Sequence, residues 1–251
     1  MIKKDTVRIA LNLSRMNHHN LIKRWPYSCL LFFILSCNNS GRYESTRSSD
    51  EDSLQHSQNI KKVHAALVIC KQMIKPGDII TRTGNDFTSQ SLRTLNRRDK
   101  TFSHCGIASI EHDSLFIYHA LGGEWNPDLR LKRESFESFT DPEENTAAGV
   151  FRFNIAVGMK ESLISKAQQL YADKLKFDLD FDLHTDDKMY CAEFIYKTFL
   201  VATDSTVVFR HSFIGDFEFV GVDDITSDPR SEKITALNYR NINIFEAKTK
   251  H

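Results

Sequence analysis

FSHCGIASIEHDSLFIYHA, spanning Phe102–Ala120, consists of two β-type runs, Phe102–Ile110 and Ser114–Ala120, divided by the polar turn Glu111-His112-Asp113. The pattern predicts an antiparallel hairpin. If its loop holds an even number of residues centred on Glu111-His112, residues whose numbers sum to 223 stand opposite each other, and His104 pairs with His119. Both imidazoles then project from one face. Gly106 and Ala108 follow His104 on that face, small enough for another element to approach. An odd loop or a bulge would break this pairing.

A second segment supplies what could approach. Asp186 or Asp187 is read as the cap of a helix running to about Val201, which places Cys191 in or near its first turn. The partial positive charge of a helix N-terminus stabilises a thiolate. Phe194, Ile195 and Thr198 share the face, so simple packing would also account for the cysteine. Set against the hairpin, the expectation is that this helix lies over Gly106 and Ala108. Cys191 would then meet His104, and His119 would fix the tautomer of His104.

Working outward, Ile60, Val63, Leu67, Cys70 and Ile74 mark an amphipathic helix ended by Pro76-Gly77, with Cys70 a small buried hydrophobe on its stripe. Asp78–Thr83 reads as a strand and Thr88–Arg97 as a short helix. Gly122–Asn145 reads as a loop region broken by Pro127 and Pro142, followed by a strand near Val150–Ala156. A helix from about Lys160 carries Leu163, Ala167, Leu170 and Tyr171, and strands Val207–Phe209 and Phe217–Val222 close the domain. Helices and strands arrive in blocks, without regular alternation, so the class is α+β. Cys105 points away from His104 in a regular strand and is read as core, with a disulfide to Cys70 left open.

The 251 residues carry 33 Lys plus Arg against 33 Asp plus Glu, and this balance gives no pull toward nucleic acid. The five cysteines form no CxxC pair, which removes support for a zinc ribbon or a thioredoxin-type pair. Lys23 and Arg24 precede an apolar run, Pro26–Leu35, that is short for a bilayer span and suits an export signal, with Met16 a candidate start. The run ends in Ile34-Leu35-Ser36-Cys37, which resembles the bacterial lipobox, and Cys37 would carry the lipid that holds the protein on the membrane. The bland alternative is an ordinary cleaved signal. The expected division is a signal peptide over 1–36, a flexible Ser/Asn/Asp/Glu-rich tether over 37–59, and a catalytic domain over 60–251. The location is the cell envelope, periplasm-facing or surface.

Four blocks together resemble the permuted papain-like amidases, a branch of the NlpC superfamily that also contains the lecithin retinol acyltransferase group. They are Gly77-Asp78-Ile79-Ile80, Phe102-Ser103-His104-Cys105-Gly106-Ile107, Ile117-Tyr118-His119-Ala120 and Tyr190-Cys191-Ala192-Glu193-Phe194-Ile195-Tyr196. Phe177-Asp178-Leu179-Asp180-Phe181-Asp182 fits the same set, and the likeness runs from about Lys75 to Asp228. In that branch the histidine strand precedes the cysteine helix, as here. The resemblance implies a circularly permuted papain-like (NlpC-type) fold, an antiparallel sheet or small barrel packed against helices. It implies Cys191 as nucleophile, His104 as base and His119 in the third, polar position, with no cofactor or metal. Cys105 stands where an aliphatic residue is commoner, which leaves a disulfide or an alternative nucleophile open.

The expected activity is thiol hydrolysis of an amide in a peptide-like envelope substrate, such as a peptidoglycan stem peptide, through a thioester. The Cys191 amide would serve as oxyanion donor. A lipid-directed acyltransferase or thiol esterase is the alternative, and a non-catalytic ligand-binding lipoprotein is the rival of another class. Tyr190 and Trp125 are candidate substrate-binding residues, although Tyr190 could equally pack.

Overall fold

The structure is a computed structural model that describes residues 42–122 and 126–242. Cys37 and Trp125 lie outside the described residues. In chain order the elements are α1 (Arg42–Met73), β1 (Ile79–Gly84), α2 (Phe87–Arg93), β2 (His104–Glu111), β3 (Ser114–Ala120), β4 (Leu131–Ser135) and α3 (Phe136–Phe139). Next come β5 (Asn145–Phe153), α4 (Val157–Ala172), α5 (Cys191–Ala202), β6 (Ser212–Ile214), β7 (Phe217–Phe219), α6 (Val222–Thr226) and β8 (Ser231–Asn238).

Six strands form one antiparallel sheet in the order β4-β3-β2-β1-β5-β8, and β6 pairs with β7 apart from it. The sheet is open, with β4 and β8 as its edges, and does not close into a barrel. Alternate residues along each strand face opposite sides, so the sheet has two buried faces. On one, Ile80, Ala108, Ile117, Ala148 and Val150 meet Val63, Leu67, Cys70 and Ile74 of α1 together with Phe136 and Phe139. On the other, Ile79, Cys105, Ile107, Tyr118 and Phe153 meet Leu163 and Ala167 of α4 and Phe194, Ile195 and Phe199 of α5. Each fully buried Ile, Leu or Phe contributes roughly 1.5–3 kcal/mol.

The two helical layers correct one expectation. The helix carrying Cys191 does not pack over Gly106 and Ala108; it covers the opposite face, the one to which Cys105 points, and α1 takes the Ala108 side. Cys70 and Cys105 therefore lie on opposite faces of the sheet as free thiols, and no disulfide joins them.

The hairpin turn is shorter than expected. His112 (φ 47°) and Asp113 (φ 61°) form a two-residue loop with both central residues left-handed, the geometry of a type I′ turn. Partners such as Ile107↔Tyr118 sum to 225, not 223. Continued along the strands, this register sets His119 opposite Gly106, with His104 two residues further. A displacement of two preserves the face, so the histidines still share one.

Other differences concern elements with weak patterning. β4 lies inside the segment expected to be loop, β8 adds an unexpected sixth strand, β5 begins at Asn145, and Val207–Phe209 is not a strand. α1 begins at Arg42, so most of the segment expected to be tether is helical, although Glu51 to Gln58 are exposed throughout. Helix propagation from the packed turns beyond Asn59 is cheap once a nucleus exists.

Gly77-Asp78 has a structural task. Gly77 (φ 81°) makes the turn that α1 needs to enter β1. Asp78 is buried, receives the Lys75 amide (2.8 Å), and takes both Nε (2.8 Å) and Nη2 (2.6 Å) of Arg152 in β5.

Candidate active site

α5 begins at Cys191, with Tyr190 as its N-cap; Asp186 and Asp187 lie in the preceding loop, where Asp186 takes Lys197 (2.7 Å). The cap of the sequence reading is thus displaced by several residues. The helix start is held by the buried Glu193, whose carboxylate accepts the Tyr190 amide (3.1 Å), and by Tyr190, whose hydroxyl accepts the Val220 amide (2.9 Å). The Tyr190 ring also stacks on Phe181, 4.8 Å between centroids. Tyr190 therefore both packs and borders the cleft. Burial pushes the Glu193 carboxyl up to about 8 despite Lys197.

α5 packs against β2, and its first residue, Cys191, interacts with the first two residues of that strand, His104 and Cys105. His104 is the first residue of β2, and from the strand end its ring reaches Cys191 although the two belong to opposite faces. His104 Nε2 lies 2.8 Å from His119 Nδ1, and His119 Nε2 lies 3.1 Å from Glu134 Oε2. The second Glu134 oxygen takes Lys132 Nζ at 2.8 Å. The structure thus brings Cys191, His104 and His119 together and adds Glu134, which the sequence reading missed.

Proton positions follow from chemistry. A carboxylate only accepts, so His119 carries its proton on Nε2 and presents Nδ1 as an acceptor. His104 must then donate from Nε2, which leaves its Nδ1 lone pair for the thiol. His104 is thereby held in the tautomer that a base for a thiol would need. Burial opposes ionisation of Glu134, but His119 and Lys132 outweigh it and hold the carboxyl well below its usual range.

Burial pushes both His104 and His119 down to about 4, against the upward pull of Cys191 and Glu134 respectively. Cys191 moves oppositely to its neighbour. A hydrogen bond with the Cys105 side chain, followed by the His104 contacts, holds the Cys191 thiol well below its usual value against the cost of burial. Burial and Cys191 push Cys105 well above its own. The two shifts favour negative charge on Cys191 over Cys105. Moving the Cys191 proton to His104 creates a contact pair, less costly to bury than either ion alone. Cys70, packed under α1, is pushed up to about 12 by burial.

Packing fixes the relay. Gly106 admits it, because a Cβ there would stand 2.5 Å from Ile117 Cγ2, 2.8 Å from the Tyr118 carbonyl and 3.0 Å from His119 Cβ. Phe139 lies against both histidines, with centroids 5.7 and 5.0 Å away, and carries the Arg82 guanidinium over its ring at 4.7 Å. Arg82, also unforeseen, donates to the Phe139 carbonyl (3.1 Å); burial lowers its pKa, countered by Glu134, Asp86 and Cys191.

Cys191 and His104 open onto a cleft of about 1100 Å³, whose walls include Phe87, Leu92, Leu121, Leu129, Phe177 and Phe181. Its charged lining is mostly acidic, with Asp86, Glu134, Asp141, Glu144 and Asp180 set against Arg82 and Lys132.

Among solved structures the chain is similar to the crystal structure of metalloprotein yiiX from Escherichia coli O157:H7, DUF1105. The TM-score is 0.53 and the identity 16%, over 64% of this chain and 96% of that one. At that identity the likeness is one of fold. No protein-family model and no curated protein matches the chain. That neighbour is titled a metalloprotein; among the described residues here, no group of three or more His, Cys, Asp or Glu is arranged to hold a metal ion. No helix among the described residues is long and apolar enough to cross a membrane.

Proposed function

We propose that this chain is a cysteine hydrolase of permuted papain-like type that cleaves an amide in a peptide-like substrate of the bacterial cell envelope. The observation that carries the reading is the continuous line Cys191–His104–His119–Glu134 opening on a cleft large enough for a ligand. The Cys191 thiolate attacks the carbonyl carbon, and the oxyanion is met by the Cys191 amide, which as first helical residue has no carbonyl partner within the helix. His104 gives the proton it took from sulfur to the leaving amine, leaving a thioester. It then takes a proton from water, whose oxygen attacks the thioester and frees the acid and the thiol.

Placement in the envelope rests on the lipobox-like Ile34-Leu35-Ser36-Cys37, with Cys37 as the lipidated residue. The apolar walls of the cleft favour a second reading, transfer of an acyl group between lipids or its release from an ester, through the same thioester.

Incubation with peptidoglycan-derived peptides and with acyl-labelled lipid separates these. Amine release from peptides, abolished in Cys191→Ala, is the expected result. Label moving to a lipid acceptor, or to water from lipid alone, would replace the first reading by the second. If a thiol-directed probe ignores Cys191 and neither substrate turns over, the protein is a ligand-binding lipoprotein and the hydrolase reading fails.

A further inference from the structure

Cys105 is a second thiol beside the proposed nucleophile, and the hydrolytic steps leave it unused. It follows His104 directly, so it projects to the opposite face of β2, the face that α5 covers. There it is packed in the same core layer as Cys191, and the two thiols interact. His104 and Cys105 thus flank one sulfur from the two sides of a strand end.

We propose that Cys105 is a resolving thiol, which captures Cys191 in a reversible disulfide when a hydroperoxide enters the cleft; the proposal rests on Cys191 being the nucleophile.

Access gives the order of events. Cys191 lines the cleft and Cys105 is fully enclosed, so a hydroperoxide reaches Cys191 first. The Cys191 thiolate attacks one peroxide oxygen, breaking the O–O bond; with hydrogen peroxide the products are a sulfenic acid and hydroxide. The Cys105 sulfur, giving up its proton, then attacks the Cys191 sulfur. An S–S bond forms, the S–O bond breaks, and the hydroxyl leaves as water. In sum two thiols and one hydrogen peroxide give one disulfide and two waters, the sulfurs losing two electrons and the peroxide gaining them. A dithiol reductant reverses the change by exchange. Without Cys105, further peroxide carries the sulfenic acid on to sulfinic and sulfonic acids, which a dithiol does not reduce. An exported enzyme faces an oxidising compartment, where such capture preserves the nucleophile. Cys70, across the sheet and buried under α1, is an internal control.

The test is peroxide treatment of the full chain, quenching of free thiols with iodoacetamide, and mass spectrometry of an unreduced digest. The expected product is a linked peptide containing Cys105 and Cys191, lighter by two hydrogens than the separate peptides. Dithiothreitol should abolish it and restore iodoacetamide labelling of Cys191, with Cys70 unlinked throughout. In Cys105→Ala, and in Cys105→Val should the smaller side chain unsettle the core, Cys191 should become sulfinic or sulfonic acid and labelling should not return. Treated wild type with no linked peptide overturns the proposal, whether Cys191 is over-oxidised or still free. Mass reads the linkage without turnover, so a link in a protein that hydrolyses nothing sinks only the hydrolase reading. Turnover without a link sinks only the resolving role.

Discussion

His119 Nε2 stands 3.1 Å from a Glu134 carboxylate oxygen, and this contact between neighbouring strands closes the line of side chains that begins at Cys191. Glu134 accepts, His119 passes the constraint through 2.8 Å to His104, and His104 faces Cys191 with a lone pair. Glu134 is therefore a positioning residue. Glu134→Ala should lower kcat on the order of 10²-fold with little change in KM, the size of a general-base contribution. It should also slow iodoacetamide alkylation of Cys191 at neutral pH. Glu134→Asp, which keeps an acceptor, should recover part of both. A purely structural role would lower stability and leave the alkylation rate of the folded protein unchanged.

Buried His119 makes stability depend on pH. It has a folded value of about 4, below the ordinary histidine value near 6.5. Between these values the unfolded chain binds protons that the folded chain refuses, so stability is greatest above about 6.5 and falls as pH drops toward about 4. Glu134 remains ionised through that window and does not cause the loss. Urea unfolding midpoints at several pH values across the window should decline in the wild type and decline less in His119→Gln.

Gly106 is where fold and site share one constraint. Gly106→Ala places a methyl 2.8 Å from the Tyr118 carbonyl and 3.0 Å from His119 Cβ. Overpacking of this kind costs about 1–3 kcal/mol. The variant should melt lower and, when folded, alkylate Cys191 more slowly, because His119 is displaced from His104. Thermal melts paired with alkylation rates check both.

Asp78 should separate stability from chemistry. Asp78→Asn breaks a buried bidentate pair with Arg152, and removing one partner of such a pair costs about 3–5 kcal/mol. Denaturant midpoints should show the loss. Alkylation of Cys191 in the folded fraction should match wild type, since Asp78 lies outside the relay.

Much of this arrangement is legible in the sequence, and what is not has identifiable causes. The period-two runs around His112-Asp113 specify the hairpin, and parity puts His104 and His119 on one face even though the register is off by two residues. The two edge strands escape notice for a shared reason. Leu131-Lys132-Arg133-Glu134-Ser135 and Ser231-Glu232-Lys233-Ile234 are charged in the way that exposed edges are charged, and period-two hydrophobicity is absent. Missing β4 meant missing Glu134. The side on which α5 packs is not written in local pattern, because both faces of β2 are apolar and either could take a helix. For the same reason Cys105 reads as plain core, although the face it joins is the one that holds Cys191.

The most direct test of the central claim is the alkylation rate of Cys191 by iodoacetamide from acid to neutral pH, in wild type and in His104→Gln, with labelled sites read by mass spectrometry. Cys191 should react ahead of Cys70 and Cys105 well below the pH at which an ordinary thiol ionises, and His104→Gln should slow it at least about tenfold at neutral pH. A Cys191 that titrates as an ordinary thiol near 8.5, or that reacts equally fast without the imidazole, would contradict the account.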